Sequence, residues 1–373
     1  MNAIFKNIKI QKPSPIGTYL EEDVVFLLKD ITNLVQEDTT VAREKIIQSG
    51  GHYSEMLPIE YKPSKEYINL FYSSLEESSK KIAKSVGVVS DLIMKKRNKN
   101  VVLVSLARAG TPVGILIKRY IKFKYNLDVP HYGISIIRGK GIDENALLYI
   151  LKNHPNCDIQ FIDGWTGKGA IKIVLDKALE DFENKYKIKI NSDLAVLADP
   201  GYCAEIFGTR EDFLIPSACL NSTVSGLVSR TFHRTDIIKE NDFHGAKYYK
   251  ELAKEDVSYV FIDAIVKEFL HVESEIEKET KKLENASPTL SWLGLKSIKK
   301  IQKTFGIEDI NLIKPGVGET TRVLLRRIPW KVLVKDTNSK NLKHILLLAS
   351  ERNVPVELNT DLIYECCGII KPL

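Results

Sequence analysis

The chain has 373 residues, 44% apolar and 27% charged, enough for two globular domains with cores of their own. It has no run of about 18 apolar residues to span a bilayer, no signal-peptide pattern at its lysine-bearing start, and five cysteines without metal-ligand spacing, so a cytoplasmic protein without a membrane partner is expected. The net charge of +6 is concentrated: nine basic residues oppose three acidic ones between Lys296 and Lys331, a surplus of six that equals the whole excess and points to a polyanionic partner at that end.

Residues 1–95 read as mostly helical, with an amphipathic start at Asp23-Val-Val-Phe-Leu-Leu and helical periodicity from about Glu66 to Lys95. Between them, Gln48-Ser-Gly-Gly-His-Tyr-Ser-Glu-Met-Leu-Pro gathers His52, Tyr53 and Glu55 in a loop with the composition of a site rim. The pattern then changes. Val101-Val-Leu-Val reads as a buried strand, followed by Ser105-Leu-Ala-Arg-Ala-Gly-Thr-Pro and a helix over Val113–Tyr120. A second strand, His131–Ile137, ends at Arg138-Gly-Lys-Gly. A third runs from Ile159 to Asp163, and its glycine loop opens an apolar-periodic helix through Ile171, Val174, Leu175 and Ala178. Leu194-Ala-Val-Leu-Ala is a fourth strand, ending at Asp199-Pro-Gly-Tyr-Cys. Strands alternating with helices predict an α/β fold on a parallel, doubly wound sheet, which binds ligands at the C-terminal ends of its strands.

Phe243–Leu283 reads as helical, and Glu273–Glu284 as a solvated helix broken by Asn285-Ala-Ser-Pro. The break divides the chain into domains of residues 1–284 and 285–373. Beyond it come a basic helix (Trp292–Thr304), the turn Lys314-Pro-Gly-Val-Gly-Glu-Thr-Thr-Arg leading into a helix, a strand (Val332–Lys335), a helix (Ser339–Arg352) and a strand (Val354–Leu358). Together they make a small α/β unit. Cys366 and Cys367 read as a packed strand end.

Glycines 164, 167 and 169 let backbone N–H groups approach a ligand, and a helix start favours negative charge, so a phosphate or pyrophosphate is the expected guest. Arg108, beside Gly110 and Gly114, adds a planar bidentate donor for phosphate oxygens. Together these two loops resemble the type I phosphoribosyltransferases. The resemblance implies that Asp163 holds ribose hydroxyls, that Thr166, Gly167, Lys168 and Gly169 cradle a 5′-phosphate, and that Arg108, Ala109 and Gly110 face a pyrophosphate with Mg²⁺. It puts Arg138 in a mobile flap and Asn221–Ser225 along the acceptor pocket. The sequence departs from the family in having one Asp where two consecutive acids are usual, a shorter spacer before Thr-Gly, and Ala109 for a glycine. Binding of phosphoribosyl pyrophosphate or a nucleotide without turnover is therefore the alternative to displacement at the anomeric carbon.

Gly316-Val-Gly-Glu-Thr-Thr-Arg, Val332-Leu-Val-Lys-Asp and Val354-Pro-Val-Glu resemble the Pelota and archaeal ribosomal kink-turn-binding domain, with Gly318 in place of its Asn and Arg322 in place of its Lys. That implies an RNA partner met by Gly318, Glu319, Thr320, Arg322 and Arg326. The two parts in this order resemble the bacterial phosphoribosyltransferase-like proteins of tellurite-resistance and stress gene clusters, which carry a C-terminal Pelota-type domain. That family also bears the label cysteine protease StiP. A cysteine peptidase needs a thiolate beside an imidazole, for which Cys219 or Cys203 is the candidate nucleophile and His52, His131 or His233 the base. The readings are thus phosphoribosyl transfer or hydrolysis, a non-catalytic nucleotide-sensing RNA-binding protein, and a peptidase. The residues leave a homo-oligomer open.

Overall fold

The central sheet consists of β1 (Val25–Phe26), β2 (Val101–Ala107), β3 (His131–Ile137), β5 (Asp158–Trp165), β6 (Leu194–Ala198) and β7 (Ile206–Thr209), with β4 (Gly141–Ile142) folded back antiparallel on β3. This computed structural model describes residues 10–39, 43, 45–47, 49–97, 100–286 and 289–371. The spatial order is β1-β3-β2-β5-β6-β7, all parallel. Side chains alternate across the sheet. Val101 and Leu103 of β2 join the core of α1 (Lys65–Lys96) and α2 (Thr111–Tyr125), whereas Val102 and Val104 join that of α3 (Glu144–Asn153) and α4 (Ala170–Tyr186). Burial on both faces is why these strands appear as unbroken apolar runs. Each fully buried side chain of this kind, such as Phe71, Phe161 or Phe182, contributes about 1.5–3 kcal/mol.

The chain leaves β2 for β3 on one side and returns to β5 on the other. The sheet therefore switches direction between β2 and β5, and a crevice opens at their C-terminal ends. Register sets Ser105 opposite Gly133 on one side and Ile162 on the other, so the loops at Arg108 and Asp163 leave the sheet at nearly the same level.

Two helical expectations fail. The Asp23–Leu28 stretch is extended and contributes edge strand β1, because Val24, Phe26, Leu27 and Leu28 are all buried and leave no solvent face for a helix. Most of the described chain before Lys65 is irregular, with short strand pairs: Lys29–Asp30 pairs with Gly245–Ala246 and Glu37–Asp38 with Leu57–Pro58. The latter half of Phe243–Leu283 is helical, in α5 (Ser258–Val266) and α6 (Glu273–Ala286), but Phe243–Tyr249 is not: Gly245 exchanges backbone bonds with Phe232. The start of the chain, Gln48 and part of the break after Asn285 lie outside the described residues.

The remaining unit is a four-stranded sheet ordered β8-β11-β9-β10, formed by β8 (Ile313–Pro315), β9 (Pro329–Val334), β10 (Val356–Leu358) and β11 (Cys366–Ile370), with α7 (Leu293–Phe305), α8 (Val317–Arg326) and α9 (Lys343–Glu351). Three-residue β8 is too short to show a period of two. One face of this sheet packs on a core of its own, around Ile298, Ile313, Leu333 and Ile369, while Val317, Leu324, Val332 and Ile345 continue the first sheet's cluster that holds Phe71, Leu103 and Ile162.

Candidate functional site: a cleft closed by both units

A cavity of about 380 Å³ occupies the crevice. From β2 it receives Arg108 and Ala109, from β5 and its turn Asp163 through Gly169, and from the loop after β3 Arg138. Phe213, Ser217, Asn221 and Ser225 come from the segment following β7, and Lys314, Gly318, Glu319 and Arg322 from β8 and α8. The phosphate-loop residues and three of the expected RNA-contacting residues therefore face one space. Gly110 is buried behind the Arg108 loop, where an added Cβ would lie 3.1 Å from Asp163 Cα, so a glycine lets the two loops meet.

Asp163 is partly accessible; its Oδ1 accepts the Gly164 N–H at 2.8 Å. The enclosing walls push its carboxyl up to about 6, opposed by that N–H and by the charge of Arg322. Arg108 Nη1 donates to Val228 O at 3.1 Å. The Thr166 hydroxyl meets Cys203 Sγ at 3.2 Å, and Gly169 takes a left-handed backbone (φ +74°) as α4 begins. Lys168 Nζ reaches across the cleft to Ile310 O at 2.9 Å, and burial followed by the charges of Lys314 and Arg138 pulls its pKa down to about 8. Arg138 is exposed; its backbone N–H donates to the Tyr53 hydroxyl at 2.9 Å and its Nη1 to Asn311 Oδ1 at 3.3 Å. The His52–Glu55 stretch thus lies at the site's edge through Tyr53.

The C-terminal residues are held by the same cleft. Arg322 Nε donates to Ala218 O at 3.1 Å, with Glu319 Oε1 3.4 Å from its Nη1. Arg326 does not line the cavity; it donates to Asn221 Oδ1 and to Cys219 O, each at 2.5 Å. Thr320 is buried. Asp212, buried on the first unit's side, receives the Val317 N–H at the start of α8 and the Glu365 N–H, both at 2.9 Å, and burial pushes its carboxyl up to about 7. The Tyr364 hydroxyl donates to Gly167 O at 3.2 Å. Lys314, Asp212 and Tyr364 escape a reading of the sequence as site residues because no local pattern marks them; only docking of the two units brings them to the loop.

Among the described residues, no imidazole is hydrogen-bonded to either candidate nucleophile: Cys203 meets Thr166 and Asp199, and Cys219 meets Ser74. Cys203 and Cys219 are fully buried, and burial pushes both thiols up to about 12. His131 is engaged with Ser105 Oγ and Asp23 O, each at 2.7 Å, and burial pushes it down to about 4. His52 Nδ1 meets Ser54 Oγ at 2.8 Å, and His233 stacks edge-on against His244. Among the described residues no three His, Cys, Asp or Glu side chains converge as a metal-ligand set.

Residues 17–266 match the family model described as "Tellurite-like stress resistance cysteine protease StiP", and residues 292–372 match the PELOTA RNA binding domain. A protein named cysteine protease StiP from Acinetobacter baylyi is 33% identical over 368 residues, 96% of this chain and 94% of its own. Among solved structures, a hypoxanthine phosphoribosyltransferase from Staphylococcus aureus aligns at 17% identity over 36% of this chain and 73% of its own, with a TM-score of 0.25. The Trypanosoma cruzi enzyme with IMP aligns at 12% identity over 49% and 93%, with a TM-score of 0.26. Likenesses this slight carry no functional weight. Over nearly its whole length, the chain belongs to the StiP family, with a PELOTA RNA-binding domain at its C-terminal end.

Proposed function

We propose that the cleft binds a phosphorylated ribosyl compound, phosphoribosyl pyrophosphate or a nucleotide, and that the C-terminal unit associates with RNA, in the tellurite-like stress response of the family. One observation carries the ligand: the Arg108–Gly110 and Asp163–Gly169 turns open side by side, at the switch point of a parallel sheet, into one cavity also lined by Arg138, Lys168, Lys314 and Arg322. The Asp163 carboxylate would accept from ribose hydroxyls, the turn's backbone would face the 5′-phosphate, and Arg108 would meet the pyrophosphate. In transfer, an acceptor lone pair forms the bond to the anomeric carbon while the carbon–oxygen bond to pyrophosphate breaks and pyrophosphate leaves with the electron pair. Position and positive charge supply the catalysis. The cavity offers two carboxylates, Asp163 and Glu319, and several cations. That set fits Mg²⁺ arriving chelated by the diphosphate, an ion that would offset the leaving group's charge.

Calorimetric titration with phosphoribosyl pyrophosphate and Mg²⁺ tests this. Saturable binding weakened at least about tenfold in Asp163→Asn is expected, the equivalent of one lost hydrogen bond to a charged group. Binding equal in wild type and variant, or no binding at all, would refute it. RNA association is tested by titrating labelled RNA at several salt concentrations, where Arg322→Glu should weaken binding and flatten the salt dependence.

The family description favours a second function, a cysteine peptidase. It would require Cys203 or Cys219 to ionise and meet a base, against which stand their burial and the engagement of His131. Peptidase activity abolished by Cys219→Ser or Cys203→Ser, but retained in Asp163→Asn, would establish it in place of the transferase.

A further inference from the structure

Three cations gather on the side of the cavity where the C-terminal unit meets the first. Lys168 Nζ donates to Ile310 O at 2.9 Å and approaches Ile313 O at 3.4 Å. Arg138 Nη1 reaches Asn311 Oδ1 at 3.3 Å. Both side chains thus lie along the 310–313 segment that delivers Lys314, and all three line the cavity. Among the described residues, none of the three forms an ion pair with a carboxylate. The nearby acids are engaged elsewhere: Glu319 with Arg322 at 3.4 Å, and Asp309 Oδ1 with the Asn311 N–H at 2.8 Å. Burial lowers the proton affinity of both Lys168 and Lys314, and the charge of Arg138 adds to it at each, against the opposing charges of Glu319 and Asp309. Partly burying Lys168 and Lys314 with no carboxylate in direct contact is costly, and the cost is relieved when an anion enters.

We infer that Lys314, Lys168 and Arg138 form a phosphate-binding site spanning both units, in which Lys314 of the C-terminal unit binds the monoester phosphate of a ribosyl ligand. The inference rests on the cleft taking such ligands and adds a direct contact from the C-terminal unit. A ligand held in this way bridges the units, so the C-terminal segment is part of the small-molecule site as well as a neighbour of it. The same phosphate chemistry is available from a free sugar phosphate or from the 5′ end of an RNA strand.

The experiment measures binding of ribose 5-phosphate, and of a short oligoribonucleotide with and without its 5′-phosphate, to full-length wild type and to Lys314→Gln, Lys314→Arg and Arg138→Gln. Losing one charged hydrogen bond predicts about tenfold weaker binding for Lys314→Gln, with Lys314→Arg close to wild type. Arg138 is exposed, so Arg138→Gln tests the same site with little risk to folding. Ribose 5-phosphate affinity lost in Lys314→Gln supports the site with a small-molecule source. A preference for the 5′-phosphorylated RNA, abolished by Lys314→Gln, supports it with an RNA source. If Lys314→Gln and Arg138→Gln bind every probe as wild type does, or wild type binds none, the inference is wrong. Unchanged Lys314→Gln beside an impaired Asp163→Asn would overturn this site alone and leave the cleft assignment standing.

Discussion

Gly201 lies in the Asp199-Pro-Gly-Tyr turn, outside the glycine-rich loop, yet it is the glycine on which that loop depends most directly. A Cβ at 201 would lie 2.5 Å from the Gly167 carbonyl carbon and closer still to its oxygen, whereas ordinary contact begins at 3.4 Å. The strands of chain must therefore separate by at least 3.4 minus 2.5, or 0.9 Å. The displaced atom cannot swing aside as a side chain would: it is backbone, and its oxygen also accepts from buried Tyr364. Overpacking of this kind costs about 1–3 kcal/mol, and Gly201→Ala should fall at the upper end. Gly164→Ala is the matched control. It lies within the loop, but its Cβ would be 3.5 Å from Ala109 O and 3.7 Å from Val113 Cγ2, ordinary contact distances. Gly164→Ala should stay within about 0.5 kcal/mol of wild type. Urea unfolding followed by tryptophan fluorescence suits the measurement, because Trp165 and Trp292 both pack at this junction. Equal stability of the two variants would refute the reasoning, and the reverse order would show that the loop packs differently.

Affinity for phosphorylated ligands should decline as pH rises through about 8, towards a total loss of about tenfold, as Lys168 loses the proton of its charged hydrogen bond to the anion. Burial, and then its neighbours Lys314 and Arg138, favour that loss, and Glu319 and Asp309 oppose it. Stability should move the other way: Lys168 is depressed in the folded state, so between pH 8 and its unfolded value of about 10.5 the unfolded chain binds more protons and ΔG of unfolding rises with pH. Affinity that is flat from pH 7 to 9 would remove Lys168 from the site. Cys203 and Cys219, both buried, should resist iodoacetamide in the native protein at pH 7.5 and react only after denaturation, as mass spectrometry would show; rapid native labelling of either would reopen the peptidase. Arg326→Ala leaves Asn221 Oδ1 and Cys219 O without their donor and should lower stability by about 2–4 kcal/mol, read from the urea midpoint; a change below about 0.5 kcal/mol would mean these bonds are dispensable.

The α/β core was legible because its strands are buried on both faces, and Val101–Val104 and Leu194–Ala198 show it as uninterrupted apolar runs. The cleft loops were legible for a related reason: the Arg108 and Asp163 turns each follow directly on such a run, where glycine and charge stand out. Asp23–Leu28 misled because a short apolar stretch does not separate a buried edge strand from the start of a helix; its pairing with β3, more than 100 residues away in sequence, makes the choice.

The sequence by itself determined local matters: which segments could be buried, where the glycine turns fall, and that the positive surplus belongs to the C-terminal part. Only the tertiary structure decided where that charge points. Arg322 and Arg326 read as a basic face for RNA, yet both donate to carbonyl oxygens of the 218–219 segment. Lys314, which no spacing rule distinguishes, lines the cavity beside Lys168. Helical period and composition specify which face of an element is polar. Whether that face meets water, a ligand or another part of the chain depends on packing between residues far apart in sequence, and here the Asp212 carboxylate, the Tyr364 hydroxyl and the shared core around Val317 and Leu324 turn α8 inward.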